Sequence, residues 1–294
     1  ALETEDLVHL STAAMVALTT RQVAALGTDQ VAALTSAQLQ AMETADVKAL
    51  TTAQVAALGT DQLQAFSAAQ IRALDTADLR ALSSDQVQAL TSGQVAALMG
   101  APASTVVFTS GGTEANALAI ESAVATGARR LIVSAVEHDA VLETARASGA
   151  AVEFWPVDAE GRAELDWLSA RLERWDASEG AAFVALMLAN NETGVIQPVA
   201  EAAEMVRAAG GWLHVDAVQA AGKIGFDSRA LGADTLAVSA HKLGGPQGVG
   251  ALTFGPRARL SRRLHGGGQE RGWRAGTENL PGVAGFAAAA AAAV

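Results

Sequence analysis

The sequence predicts two architectures in series: an all-α array of very short helices over residues 1–98, then an α/β unit with a mostly parallel sheet over 99–294. Three observations carry this expectation. A large apolar residue recurs every eight positions through the first hundred residues. Beyond Gly100-Ala101-Pro102, apolar runs alternate with helical patterns instead. Polar clusters rich in glycine and hydroxyl residues follow those runs, where open α/β sheets bind their ligands.

The octad series runs Leu2, Leu10, Leu18, Leu26, Leu34, Met42, Leu50, Leu58, Phe66, Leu74, Leu82, Leu90 and Leu98. A second series sits five residues later, from Leu7, Met15 and Val23 through Ile71, Leu79, Val87 and Val95. A continuous α-helix turns about 100° per residue, so a period of eight would carry the stripe roughly 80° out of register each time. Each octad is therefore expected to restart a helix. Thr19 with Gln22, Thr35 with Gln38, Thr51 with Gln54, Ser67 with Gln70 and Thr91 with Gln94 all have capping-box spacing. Leu18 and Val23 then occupy the hydrophobic-staple positions around Thr19. The reading is a solenoid of short helices that binds partners or acts as a spacer. Its glutamines are read as caps, its His9 as solvated, and nothing in it carries chemistry. Residues 26–57 also resemble 58–89, a superperiod of four octads.

In the second part, strands are expected at 105–108, 130–134, 151–157, 181–189, 212–216, 235–239 and 249–254. Helices are expected at 113–126, 140–147, 163–175 and 199–209.

Composition narrows the function. The 294 residues carry a formal net charge of −11 and no basic run, which argues against a nucleic-acid groove or an anionic-membrane patch. The apolar stretches are short and interrupted, so no membrane span is expected. The chain contains no cysteine, which removes disulfides and thiolate metal sites, and no metal site is expected. An acidic amino end without a signal-peptide core points to the cytoplasm. The first residue is alanine, so a fragment or a processed product is expected.

The polar clusters come next. Ser239, His241 and Lys242 end an apolar run before a glycine-rich turn. A lysine that loses solvent there gains a neutral, nucleophilic amine able to condense with an aldehyde cofactor. A surface loop lysine is the plain alternative. Thr109-Ser110-Gly111-Gly112-Thr113 opens a helix, where free N–H groups suit a phosphate or simply make a turn. Glu137-His138 offers a helix cap or a catalytic imidazole. Asn190-Asn191 can make a turn or contact a ligand. Asp216 can cap a helix or hold a protonated ring nitrogen. Residues 265–279 form a glycine-rich loop with two arginines, read as a second anion-binding loop.

Together these pieces resemble the cysteine desulfurases, in the class V aminotransferase branch of the fold-type-I pyridoxal-phosphate enzymes. The resemblance rests on residues 108–116, 137–142, 190–195, 214–219, 239–250 and 265–280, in family order over about 94–294. It implies the large domain of that fold, with a seven-stranded, mostly parallel sheet. It implies that Lys242 holds pyridoxal 5'-phosphate through its amine and later moves the substrate α-proton. Asp216 would keep the pyridine nitrogen protonated, Gln219 would donate to the ring oxygen, and His138 would stack on the ring and assist proton transfer. Gly112, Thr113, Ser239 and His241 would grip the phosphate, and Asn191 would stand beside the ring. Thr277 would reach the phosphate of a neighbouring subunit, which implies a homodimer. The implied substrate is L-cysteine, converted to L-alanine, with sulfur passed to the thiol of an acceptor such as a sulfur-acceptor protein, for iron–sulfur cluster assembly or sulfur-bearing cofactors. The family's sulfur-accepting cysteine, its small domain and a substrate-carboxylate arginine are expected beyond this chain. Desulfuration by these residues alone is therefore not expected. The alternative is a non-enzymatic repeat protein with a remnant α/β domain. Gln94-Val95-Ala96-Ala97-Leu98-Met99-Gly100 fits both the octad consensus and the helix preceding the family's first phosphate loop.

Overall fold

A computed structural model of the chain describes residues 3–67, 70 and 73–293. It falls into two compact units, Ala1–Gln94 and Val95–Val294.

In the first unit, helices of five or six residues repeat with the octads, among them Thr12–Val16, Thr20–Ala24, Ser36–Ala41, Thr52–Ala57 and Thr60–Ala65. The Thr19 hydroxyl accepts from the Gln22 backbone N–H at 3.3 Å, and Gln22 Oε1 accepts from the Thr19 N–H at 2.9 Å. Thr35 with Gln38, Thr51 with Gln54 and Ser67 with Gln70 repeat that box. Leu7, Met15, Val23, Val31, Leu39, Val47, Val55 and Leu63, all of the second series, are fully buried. Leu2 and Ile71, and the side chains of Leu79, Val87, Leu90 and Thr91, lie outside the described residues.

The glutamines do more than cap. Gln54 Nε2 donates to the carbonyls of Val23 at 3.0 Å and Leu26 at 2.8 Å, and Gln62 Nε2 does the same to Val31 and Leu34. Each amide thus closes its own helix start with its oxygen. Its nitrogen donates to carbonyls at a helix end 31 and 28 residues earlier, where the last carbonyls lack the full set of intrahelical donors. The four-octad superperiod has this physical basis.

One expected restart is absent. A single helix runs from Ser84 to Met99, across the Thr91–Gln94 position where a cap was expected. Val95 and Leu98 keep the octad spacing and Met99 adds an i+4 position, and all three are buried in the second unit's core.

The second unit holds one seven-stranded sheet: β1 (Val106–Thr109), β2 (Arg130–Ser134), β3 (Ala151–Trp155), β4 (Phe183–Ala185), β5 (Trp212–Asp216), β6 (Thr235–Ser239) and β7 (Gly250–Phe254). Their order is β1-β7-β6-β5-β4-β2-β3. Only β7 runs antiparallel to its neighbours, so the other six strands end on the same edge. The helices α1 (Gly112–Ala125), α2 (Asp139–Ala147), α3 (Leu165–Glu173), α4 (Val199–Ala208) and α5 (Leu280–Ala293) flank it. The long strand expected at 181–189 is cut to three residues. Leu186 and Leu188 still donate to His214 and Asp216 of β5, but the Met187 N–H turns to the Glu137 carboxylate and the β2 ladder stops. Among the described residues, no helix is long and apolar enough to cross a membrane.

Candidate functional site

The carboxyl edge of the sheet opens into a cavity of about 240 Å³. Its wall includes Gly112, Thr113, His138, Asn191, Asp216, Gln219, Ser239, His241 and Lys242, together with Asn116, Ala140, Met187 and Val218. Nine of the ten residues expected at the site therefore meet in one place. Thr277 does not. It is exposed and lines a separate hollow with Phe108, Ser110 and Arg274. Its expected role lies in a neighbouring copy's site, which separation within one chain leaves open.

One end of the cavity is built to receive an anion. Gly112 and Thr113 form the first turn of the 14-residue helix α1, whose leading N–H groups lack intrahelical partners. A Cβ on Gly112 would stand 2.7 Å from Val218 Cγ2, and one on Gly250 only 2.5 Å from the Gly111 carbonyl carbon. Both glycines are what let the loop sit this close to the sheet. Ser239 Oγ lies 2.9 Å from His241 Nδ1 on the same wall. Lys242 follows in a short 3₁₀ turn, Ala240–Leu243, that lifts it clear of the strand. Of the two readings left open for this lysine, the exposed one is seen: only Ala240 of that turn is buried, and Lys242 is exposed.

A carboxylate stands elsewhere on the wall. Asp216, the last residue of β5, is 5 % exposed. Its Oδ1 accepts from the Val218 N–H at 2.8 Å and its Oδ2 from Asn116 Nδ2 at 2.6 Å. Burial raises its pKa above the ordinary aspartate value, and those two donors and the His138 charge oppose the rise. Glu137 is buried beside it. Burial, and then the Asp216 charge, push the Glu137 carboxyl well above the usual range, against one hydrogen bond from the Met187 N–H. Among the described residues, the other oxygen, Glu137 Oε2, has no hydrogen-bond partner.

The ambiguous motifs resolve into divided labour. Asn190 makes the turn, its Oδ1 accepting from the N–H groups of Glu192 and Thr193, while Asn191 faces the cavity. His138 is both things at once: its Nδ1 accepts from the Ala140 N–H at 3.0 Å as the N-cap of α2, and the ring lines the cavity. Gln219 is gripped by Lys223, whose Nζ donates to its side-chain oxygen at 2.8 Å and to its backbone carbonyl at 3.0 Å. The 265–279 loop does not offer its arginines to an anion. Arg274 pairs with Glu114 at 2.9 Å, Arg271 donates to the Val106 carbonyl, and the Phe108 N–H donates to Glu270. These contacts cover β1, an edge strand that would otherwise leave its backbone unpaired.

Sequence reasoning assigned no role to Asn116, Glu137 or Lys223. Asn116 had a readable signal, since it lies one helical turn beyond Gly112 and Thr113, on the face those residues turn to the sheet.

A polar cleft with a lysine on its wall, at the carboxyl edge of an open α/β sheet, defines a broad class of ligand-binding enzyme scaffold. The chain belongs to the aminotransferase class-V family, whose model matches residues 47–293, and that family depends on pyridoxal phosphate. An ALTTAQ repeat model matches residues 1–36. The chain is similar to a cysteine desulfurase of Cereibacter sphaeroides, 46% identical over 200 residues, covering 66% of this chain and 50% of the relative. Among solved structures it is similar to a NifS-like protein at a TM-score of 0.65 and 37% identity, over 70% of this chain and 57% of that one. A further match is SspA in complex with cysteine, with a TM-score of 0.61 and 30% identity over 68% of this chain and 58% of that one. The resemblance read from the motifs is thereby borne out. The chain spans about half the length of the curated relatives it matches. The family match begins at 47, inside the octads, whereas the pairwise match of 200 residues has the length of the second unit alone.

Proposed function

We propose that residues 99–294 form a pyridoxal-phosphate site of the cysteine desulfurase type, with residues 1–98 a separate helical array. The observation that carries this reading is the donor set of the cavity. A helix N-terminus with Thr113, Ser239 and His241 suits a phosphate, and a buried carboxylate, Asp216, suits a protonated ring nitrogen. Bound there, the cofactor supplies an electron sink for bonds broken at an amino acid's α-carbon.

With the cofactor bound, Lys242 Nζ would anchor it and move the proton at the substrate α-carbon. Asp216 would keep the proton on the ring nitrogen. Gln219 would donate an amide N–H to the ring oxygen, Asn191 would stand beside the ring, and His138 would share in proton transfer. Gly112, Thr113, Ser239 and His241 hold the phosphate, and Thr277 completes the phosphate site of a second copy in a homodimer. The substrate is L-cysteine, with L-alanine as product and the sulfur passed to an acceptor thiol in the cytoplasm. These 294 residues hold no cysteine, so that thiol comes from elsewhere and this chain alone does not turn over.

Adding pyridoxal phosphate should produce an absorbance band above about 400 nm that Lys242→Ala abolishes. A folded sample without the band would remove the reading.

A further inference from the structure

Side chains two apart on a strand point the same way, so Trp212, His214 and Asp216 share one face of β5. Thr235 is the register partner of His214 on β6, and Asn116 arrives on that face from α1. Four hydrogen bonds join these five side chains. Trp212 Nε1 lies 3.1 Å from Thr235 Oγ1, and Thr235 Oγ1 lies 2.9 Å from His214 Nδ1. His214 Nε2 lies 2.9 Å from Asn116 Oδ1, and Asn116 Nδ2 lies 2.6 Å from Asp216 Oδ2. All five residues are buried, and Phe183 stacks on the imidazole with 6.2 Å between ring centroids.

The two ends of this chain are chemically one-way. An indole N–H can only donate, and an ionised carboxylate can only accept. The threonine, histidine and asparagine between them can each do both, so the ends dictate how all three are arranged. Thr235 accepts from Trp212, and its own buried hydrogen is satisfied by His214 Nδ1. With Nδ1 an acceptor, the imidazole proton sits on Nε2 and is donated to Asn116 Oδ1. That bond turns the Asn116 amide nitrogen toward Asp216. Every bond donates in the same direction.

We propose that His214, held in its Nε2–H tautomer by the Thr235 hydroxyl, is a positioning residue that fixes Asn116 as a donor and keeps Asp216 charged. Its use to the protein rests on the reading of Asp216 as partner of a protonated ring nitrogen. The opposite tautomer would reverse the chain, bringing Asn116 Oδ1 against Asp216 Oδ2, two acceptors in contact. Burial pushes His214 down to about 3, so the ring is neutral and carries one N–H. Glu137 and His138, the other titratable groups whose charge couples to Asp216, bond to Met187 and Ala140 and leave the chain undisturbed.

The test uses the full chain labelled with ¹⁵N-histidine and ¹³C-aspartate, before any cofactor is added. His214 signals are assigned by their loss in His214→Phe, and those of Asp216 by their loss in Asp216→Asn. In the unmodified chain His214 should show the neutral Nε2–H pattern, unchanged from about pH 5 to about pH 8. Thr235→Val keeps the branched shape but lacks the hydroxyl. With no hydroxyl left to donate to Nδ1, one of the two constraints on the ring is lost. His214 should then move from a pure Nε2–H pattern toward a mixture of the two neutral tautomers, and the Asp216 titration midpoint should rise by up to about one pH unit. Thr235→Ser should restore both. An Nδ1–H or charged His214 in the unmodified chain overturns the proposal, even if no variant folds. So does a Thr235→Val protein whose tautomer and Asp216 midpoint stay where they were. Both signals precede pyridoxal phosphate, so a missing cofactor band counts against the function proposed above and not against this relay.

Discussion

Lys223 Nζ holds Oε1 of Gln219 at 2.8 Å, which leaves the amide nitrogen of Gln219 as the atom free to face the cavity. A glutamine amide can turn over, and at the proposed site only its nitrogen can donate to a ring oxygen. Lys223 removes that ambiguity. Partial burial, and then the Lys242 charge, lower the Lys223 pKa, so the two amines lie close enough to feel one another.

Lys223→Met should therefore free the amide and weaken pyridoxal phosphate binding about threefold to tenfold. Lys223→Arg, which can still donate, should keep most of the affinity. A spectrophotometric titration measures both. Equal affinity in Lys223→Met and the unmodified chain would deny Lys223 this role.

Glu137 gives a pH signature. Its folded-state pKa is raised well above the ordinary glutamate value, chiefly by burial. A group raised in the folded state contributes stability fully below its unfolded pKa and loses it as pH climbs through the folded value. The unmodified chain should thus lose stability toward alkaline pH. Glu137→Gln keeps the size, accepts from the Met187 N–H and cannot ionise, so its stability should fall less over the same range. Chemical denaturation at a series of pH values reads the difference. Parallel pH profiles for the two proteins would mean that Glu137 does not titrate as described.

What the sequence disclosed depended on range. Strands β2, β5 and β6 fall where the apolar runs 130–134, 212–216 and 235–239 were expected, because buried parallel strands are short apolar runs bounded by turn residues. The clusters at their ends were legible for the same reason, since the sheet gathers strand ends onto one edge. Contacts between distant residues were not. Asn116 meets Asp216 across 100 positions, and Glu137 meets Met187 across 50. Gln62 reaches the Val31 carbonyl across 31. For Lys242 the surrounding glycines left a desolvated and a surface amine both open, and the 3₁₀ turn after β6 leaves it exposed. The unbroken helix at Ser84–Met99 runs across the Thr91–Gln94 spacing, so a capping-box pair in the sequence does not by itself start a new helix.

The glutamine ladder can be tested on a single atom. Gln62 Oε1 accepts from the Gly59 N–H at 2.7 Å, while Nε2 donates to Val31 at 3.0 Å and Leu34 at 2.7 Å. Gln62→Glu keeps the acceptor and the shape but sets a carboxylate oxygen against two carbonyls. At neutral pH the array should lose roughly 2–3 kcal/mol, the cost of unpairing buried polar groups. A protonated glutamate can donate to one carbonyl, so the folded state should raise the pKa of the new carboxyl. By the linkage rule, the lost stability should then return as pH falls below that raised value. Gln62→Ala, which cannot titrate, should show no such recovery. Helical circular dichroism during thermal unfolding at two pH values separates these outcomes. If Gln62→Glu is as stable as the unmodified chain at neutral pH, the amide nitrogen does not join successive turns of the array.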